Sequence, residues 1–298
     1  MKILITGANG QLGCELQAMI ASGMADIGPI DACYHGAQVV PTDFEELDIT
    51  NAAACEDYLA NGGFDVVINC AAATNVDGCE ENTNFAARLN AEGPANLARA
   101  CAANGATLVH ISTDYVLDGG DPMPQPESAM PNPHTVYGRT KLDGEMLVQR
   151  LCPQYYLVRT AWLYGAVGKN FVRTMARLGR EREVVRVVAD QHGSPTNAND
   201  LAYEILALIP TKAYGLYHAT NNGACTWADF TEAIFARLGL TCRVERCTTA
   251  EYAAPAARPA WSILDNKHLR DTIGDKMRSW DVALDSYIEH QRESLLEG

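Results

Sequence analysis

The sequence predicts an α/β protein: a doubly wound, Rossmann-type parallel sheet followed by a smaller, mixed α/β C-terminal substrate domain. Three observations carry this reading. Near-continuous apolar runs such as DVVINCA (65–71) and ATLVHIS (106–112) alternate with helical stretches, the pattern of parallel strands covered on both faces. A glycine-rich turn, GANGQLG (7–13), joins the first strand to the first helix. After about residue 165 the alternation loosens into shorter elements.

The elements follow in order. KILIT (2–6) predicts a strand and 11–22 a helix; 38–41 predicts a short strand and 51–61 a helix. The buried strand 65–71 leads to one long helix over 84–104, then to the buried strand 106–112. The segment 121–133 holds five prolines and is excluded from helix and central strand. Residues 136–151 predict a helix and 155–160 a strand. Beyond them come a helix at 170–179, strand 184–188, helix 199–208, strand 215–219, helix 226–238, strand 242–246 and a last helix near 282–295. This divides the chain into a dinucleotide-binding domain, 1–165, and an interleaved substrate-binding domain, 166–298. Strands 184–188 and 215–219 are expected to return to the first domain, within 184–225.

Composition narrows the function. The chain has 298 residues, 47% of them apolar, enough for a sizeable core. Its 23 basic and 37 acidic side chains leave a net charge of −14. Such a field repels phosphate, so nucleic acid and anionic membranes are poor partners, and any anionic ligand needs local donors. Ten cysteines occur without a CxxC pair, and the seven histidines show no HxH or HExxH spacing, so no metal site is expected. Cys14, Cys55, Cys70 and Cys101 read as small buried hydrophobes. No export signal and no apolar run of about 18 residues is present, so a cytoplasmic enzyme with reduced thiols is expected.

The chemistry concentrates in three places. Gly7, Gly10 and Gly13, with Gln11 and Leu12 between them, let a backbone turn approach a pyrophosphate at a helix N-terminus. After the second strand, Asp43 sits where an acid accepts hydrogen bonds from an adenosine ribose, with Asp48 and Ile49 bordering the adenine. An acid there repels a 2′-phosphate, which favours NADH. Tyr137 and Lys141 stand at i and i+4 on one helix face, where the ammonium is expected to lower the phenol's pKa. Thr113, at the end of the preceding buried strand, supplies a hydroxyl for the same reacting oxygen.

These motifs, with NCAAATNVD (69–77), STDYVLDG (112–119), RTAWLYG (159–165), NFVRTMARL (170–178), DQHGSPT (190–196) and ARPAWSILDN (257–266), resemble the dTDP-4-dehydrorhamnose reductase branch of the extended short-chain dehydrogenase/reductase family. The resemblance covers almost the whole chain. It implies a reductase using NADPH or NADH on a nucleotide-sugar C4 ketone, in dTDP-L-rhamnose biosynthesis, working as a possible homodimer. By the same resemblance Tyr137 donates the proton, Lys141 binds the nicotinamide ribose and Thr113 holds the reacting oxygen. Ala71, Ala72 and Ala73 line the middle of the cofactor, Asp114 and Trp162 flank the sugar, and Asn170, Gln191 and Arg258 contact the nucleotide diphosphate. Two positions depart from the family pattern: Ala73 replaces an aromatic residue or histidine, and Leu117 replaces phenylalanine.

Rival readings are weaker. A 4,6-dehydratase carries Thr-Asp-Glu where this chain has Tyr115 third. A 4-epimerase is distinguished by the absence of net NAD(P)H consumption. A regulatory subunit of a methionine adenosyltransferase is similar to this family, but such a role does not need the intact Thr113, Tyr137 and Lys141. Trp227 and Trp280 read as core or interface residues.

Overall fold

The computed structural model describes residues 1–297. Its centre is a six-stranded sheet formed by β1 (Lys2–Thr6), β2 (Gln38–Thr42), β3 (Val66–Asn69), β4 (Thr107–Thr113), β5 (Tyr155–Thr160) and β6 (Gly215–His218). The order across the sheet is β2-β1-β3-β4-β5-β6, and every pairing is parallel. Register runs Ile3↔Val39 on one side of β1 and Ile3↔Val66 on the other. The order reverses at β1, so a crevice opens beyond the carboxyl ends of β1 and β3, where doubly wound sheets bind ligands.

Alternation along the strands builds both faces. Ile3, Ile5, Val66, Ile68 and Val158 pack against α1 (Gln11–Ser22) and the helix Ala198–Leu208. Leu4, Val67, Leu108 and Leu157 point to the other face, beneath α2 (Ala52–Gly62), α3 (Gly93–Asn104) and α4 (Val136–Leu151). The four inner strands, β1, β3, β4 and β5, are buried on both sides, which explains their unbroken apolar sequence.

A second core joins the helices Phe171–Glu181, Trp227–Leu238 and Trp280–Glu297 around Val185 and Val187. Of the two strands expected to return to the main sheet, Gly215–His218 pairs with β5. The other does not: Val184–Val188 pairs in parallel with Arg243–Cys247 in a separate two-stranded sheet. Its partner lies far along the chain, so local sequence cannot reveal it.

The long helix expected over 84–104 forms without a break, but its middle turn is widened. Thr83–Ala87 is α-helical, Arg88–Glu92 is a π turn, and α3 then runs from Gly93. The widened turn carries Asn90, which is fully buried. Its amide accepts from the Ala73 N–H at 2.8 Å and donates to the Ala73 carbonyl at 3.1 Å and to Thr140 Oγ1 at 3.2 Å. A wide turn placed at a functional crevice is a common use of π geometry. No helix of the described residues is long and apolar enough to cross a membrane.

Candidate active site

The crevice at the ends of β1, β3 and β4 is a cleft of about 1460 Å³. That exceeds a drug-sized pocket, which reaches about 1,000 Å³, and leaves room for more than one nucleotide. Its upper wall begins at the glycine turn. Gly7 has φ +64°, and a Cβ there would lie 2.7 Å from the Ala71 nitrogen, so only glycine lets β1 pass this close to the end of β3. The N-cap of α1 is Gly10, which has no side chain to cap the helix. Most other helices of the chain, including those capped by Asn51, Thr135, Asn170 and Thr226, use a side-chain oxygen instead. The first amides of α1 are thus left for a ligand, at the positive end of the helix dipole.

Gly7, Gly10, Gln11, Leu12, Asp43, Asp48, Ile49, Ala71 and Ala72 all line this cleft, as do Thr113, Asp114, Tyr137, Lys141, Trp162, Gln191 and Arg258. Three expected residues do not. Gly13 faces inward: a Cβ there would be 2.6 Å from the Gly7 carbonyl oxygen, so this glycine seats α1 against the turn. Ala73 is buried in a small cluster with Cys79, Ala86 and Tyr137, its backbone held by Asn90. Asn170 is the N-cap of Phe171–Glu181, accepting from the Arg173 N–H at 3.0 Å and donating to the Gly165 carbonyl at 2.8 Å. Both ends of its amide are used within the protein.

Asp43 stands at the rim, accepting from the Asn9 N–H at 3.3 Å and the Phe44 N–H at 2.9 Å. Asp48 Oδ1 accepts from the Thr50 N–H and hydroxyl at 2.9 and 2.8 Å, and Arg88 donates to that hydroxyl at 2.8 Å. Arg88 lines the cleft from the π turn, 45 positions after Asp43. Helical periodicity gives no hint that it faces a ligand.

The floor carries the acid–base groups. Thr135 caps α4 by accepting from the Gly138 N–H at 3.0 Å, which places Tyr137 and Lys141 on the inward face one turn apart. Burial pushes the Tyr137 phenol above its ordinary pKa; a hydrogen bond with the Thr113 side chain pulls it back, and Asp114 pushes it up again. The expected lowering by Lys141 is not found. The Lys141 ammonium donates to the Ile111 carbonyl at 2.7 Å and lies 3.3 Å from His110 Nε2. Burial drives Lys141 down to about 8, against the opposing pull of Glu145 and Cys70. Tyr137 is therefore a protonated phenol in a dry site, suited to giving a proton rather than taking one. Asp114 is raised to about 6 by burial, against hydrogen bonds with Ser262 and Thr113.

Buried polar atoms without protein partners cluster here: Gln11 Oε1, Ser112 Oγ, Asp114 Oδ2 and Thr160 Oγ1 all belong to cleft residues. Buried polar atoms are normally paired, so four orphans among the cleft residues fit a polar ligand. Across the cleft stands an aromatic wall. Trp162, with φ 49°, stacks on Trp227 at 3.4 Å between centroids, and Phe171 lies 4.3 Å from Trp227. Trp227 packs against the second core, as its sequence reading expected, and it also lines the cleft; it opens a helix far from the motifs, and only the fold brings it beside Trp162. Cys55 and Cys101 are buried as expected, whereas Cys14 and Cys70 are partly exposed, Cys70 within the cleft.

Three basic side chains approach the outer cleft. Arg258 pairs with Asp77 at 2.8 Å, Arg186 lies within 3.8 Å of Glu245 and 3.7 Å of Glu251, and Lys169 follows Gly168. Gln191 donates to Thr249 Oγ1 at 2.9 Å. Among the described residues no group of three His, Cys, Asp or Glu is gathered to hold a metal ion.

Comparison with known proteins agrees with this geometry. The family model described as RmlD substrate binding domain matches residues 1–293. A dTDP-4-dehydrorhamnose reductase of Streptomyces griseus is 42% identical over 288 residues, covering 94% of this chain and 91% of that protein. The crystal structure of a dTDP-4-dehydrorhamnose reductase from Clostridium acetobutylicum superposes with a TM-score of 0.93 at 46% identity, covering 98% of this chain and 100% of that one. A Bacillus anthracis dTDP-4-dehydrorhamnose reductase, solved in complex with NADP, gives a TM-score of 0.91 at 40% identity over 97% of this chain and 99% of that one. With the family model spanning nearly its whole length and relatives this similar, the chain belongs to the dTDP-4-dehydrorhamnose reductase family.

Proposed function

We propose that this chain reduces the C4 ketone of dTDP-4-dehydro-β-L-rhamnose to dTDP-β-L-rhamnose, using NADPH or NADH. The observation that carries the reading is the convergence of Thr113, Tyr137 and Lys141 with the Gly7–Leu12 turn in one cleft. The residues fit a nicotinamide dinucleotide: an uncapped helix start, a turn that only glycine can make, and the unpaired Gln11 Oε1. The first amides of α1 would hold the pyrophosphate and Asp43 the adenosine ribose, while Asp48 and Ile49 would border the adenine and Ala71 and Ala72 the middle of the cofactor. A bound cofactor supplies the hydride for C4.

The protein's part follows from charge. As C4 is reduced, negative charge grows on its oxygen, and the Tyr137 hydroxyl meets it as a preorganised donor; the Thr113 hydroxyl, which donates to Asp114 Oδ1 in this structure, turns from that partner to the same oxygen. Tyr137 then transfers its proton. Lys141 holds the nicotinamide ribose beside them. Asp114 and Trp162 flank the sugar, and Gln191 and Arg258 reach the diphosphate. Residues 1–165, with β6 and the helix Ala198–Leu208 that covers the same sheet, form the cofactor half, and the second core around Val185 and Val187 belongs to the substrate half. The −14 charge is no obstacle, because the donors that meet phosphate are local.

The test is product identification. The protein is incubated with dTDP-4-dehydrorhamnose and each cofactor, and stoichiometric NAD(P)H consumption with formation of dTDP-L-rhamnose is expected. An epimerase would convert substrate without net consumption, and no rhamnose product would refute the proposal.

A further inference from the structure

Behind the acid pair runs a chain of fully buried polar groups. Asn69 ends β3 and stands beside His110 of β4 in the parallel register. Both are sealed from solvent. Asn69 Oδ1 accepts from Thr6 Oγ1 at 2.8 Å and from the Ala71 N–H at 3.1 Å. A backbone N–H only donates, so the amide orientation is fixed and Nδ2 is the atom facing His110 Nδ1 at 3.0 Å. Nδ2 also only donates, which leaves Nδ1 as an acceptor without a proton. The neutral ring then carries its hydrogen on Nε2, and Nε2 lies 3.3 Å from Lys141 Nζ.

We infer that His110 is a positioning residue for Lys141, presenting an Nε2–H that favours the neutral amine and fixes the side chain against the Ile111 carbonyl. An ammonium has no lone pair to receive that hydrogen, whereas an amine has one. The groups that face Lys141 are His110 from β4, Cys70 from the end of β3, Tyr137 one turn before it and Glu145 one turn after it in α4. Arg159 of β5 acts through Glu145. The Glu145 carboxylate favours the ammonium, but Arg159 Nε and Nη2 occupy its two oxygens at 2.8 and 2.6 Å. Desolvation pushes the Cys70 thiol up to about 12, so it stays neutral at working pH. Burial, then the Lys141 charge, hold His110 well below its ordinary pKa, so the ring remains a neutral tautomer.

The consequence is a lysine whose proton is held weakly until a ligand gives the ammonium something to bind. The inference rests on the reading of Tyr137 and Lys141 as the acid pair, but its test needs no turnover. The ¹⁵N shifts of His110 in the cofactor-free protein report the tautomer, and the ¹³Cε shift of Lys141 reports its titration. A proton on Nε2 is expected. In His110→Phe, which keeps a flat ring but no donor, the Lys141 midpoint is expected to rise by about one pH unit, a tenfold change in the amine-to-ammonium ratio. In His110→Gln, whose amide can donate to Nζ, the midpoint is expected to stay near that of the unaltered chain. A proton on Nδ1, or an unchanged midpoint in folded His110→Phe, would overturn the inference. Should that variant not fold, the tautomer in the unaltered protein decides. A wrong assignment of the substrate would leave all of these readings unaffected.

Discussion

Arg258 donates to the Asp77 carboxylate at 2.8 Å, and Asp77 also accepts from the Ala256 N–H at 3.0 Å. The pair ties the 253–259 loop, which follows the short helix Thr249–Tyr252, to the first turn of the helix Val76–Glu81 on the cofactor side of the cleft. Burial opposes ionisation of Asp77, and the Arg258 and Ala256 hydrogen bonds overcome it, leaving the carboxyl below its ordinary range. Arg258 is thus held at the cleft before any substrate arrives. Hydrogen bonds to charged groups are worth about 1.5–3 kcal/mol. Arg258→Ala is therefore expected to raise the KM for the nucleotide sugar at least roughly tenfold, with kcat within a few-fold. Steady-state kinetics at saturating cofactor checks this, and an unchanged KM removes Arg258 from the diphosphate site.

Tyr137→Phe removes the only phenolic proton offered to the ketone oxygen in the proposed mechanism while keeping the ring. General acid catalysis is worth about 10²–10⁴-fold, so kcat should fall by that amount with KM little altered. Thr113→Val removes the second hydroxyl proposed to meet the growing charge and should lower kcat by about 10²-fold. Near-normal turnover in Tyr137→Phe would exclude the mechanism.

The parts of this site that could be read from the sequence are those carried by local pattern. The helix ends at Gln11 and Ser22, and at Val136 and Leu151, coincide with the sequence reading because glycine turns, Thr135 and strand boundaries mark them. What sequence missed depends on distant packing. The π turn at Asn90 lies inside a helix whose apolar pattern continues unbroken, and the Asn90 amide binds the Ala73 backbone from it. Asn170 sits in a run shared with the family and reads as a ligand contact, yet it is a helix cap. Trp227, Arg88 and His110 carry no motif of their own; only the folded chain sets them at the cleft or behind it.

Asp43 should decide the balance between the two cofactors. Two unit charges about 4 Å apart interact by about 1 kcal/mol in water. Asp43→Ser is expected to raise kcat/KM for NADPH relative to NADH by about fivefold or more. Arg88, also in the cleft, offers a positive charge on the same side of the problem, so Arg88→Ala should move the ratio the other way. A strong NADPH preference in the unaltered protein, unchanged in Asp43→Ser, would show that the acid does not meet the ribose.

The Glu145–Arg159 pair is a test of stability rather than chemistry. Its side chains are 2% and 3% exposed, and both carboxylate oxygens are used. Removing one partner of such a pair strands a buried charge and costs about 3–5 kcal/mol. Glu145→Gln should lower the denaturation midpoint accordingly, and because Glu145 also supports the Lys141 charge, it should lower the Lys141 pKa further. A midpoint within experimental error of the unaltered protein would mean the pair is dispensable.

Asp114 stores the opposite imbalance. Its carboxyl is raised from 3.8 to about 6, chiefly by burial. The folded state therefore binds more protons than the unfolded chain between these values, and the protein loses stability as pH rises through that window. Below 3.8 the penalty is absent; above about 6 it is fully present. Asp114→Asn keeps an acceptor for Thr113 Oγ1, which donates to Oδ1 at 2.9 Å, and replaces the unpaired Oδ2 with a neutral amide nitrogen. The variant should be more stable than the unaltered protein at pH 7.5, by about 1–3 kcal/mol on the scale of 1.36 kcal/mol per pKa unit. That advantage should shrink as pH falls toward 4. Denaturant titrations at both pH values measure it. Because the residue faces the cleft, the gain should come with a weaker grip on the sugar, a higher KM, as strained site residues trade stability for binding. A variant equally stabilised at both pH values would show that its effect is packing and not the buried charge.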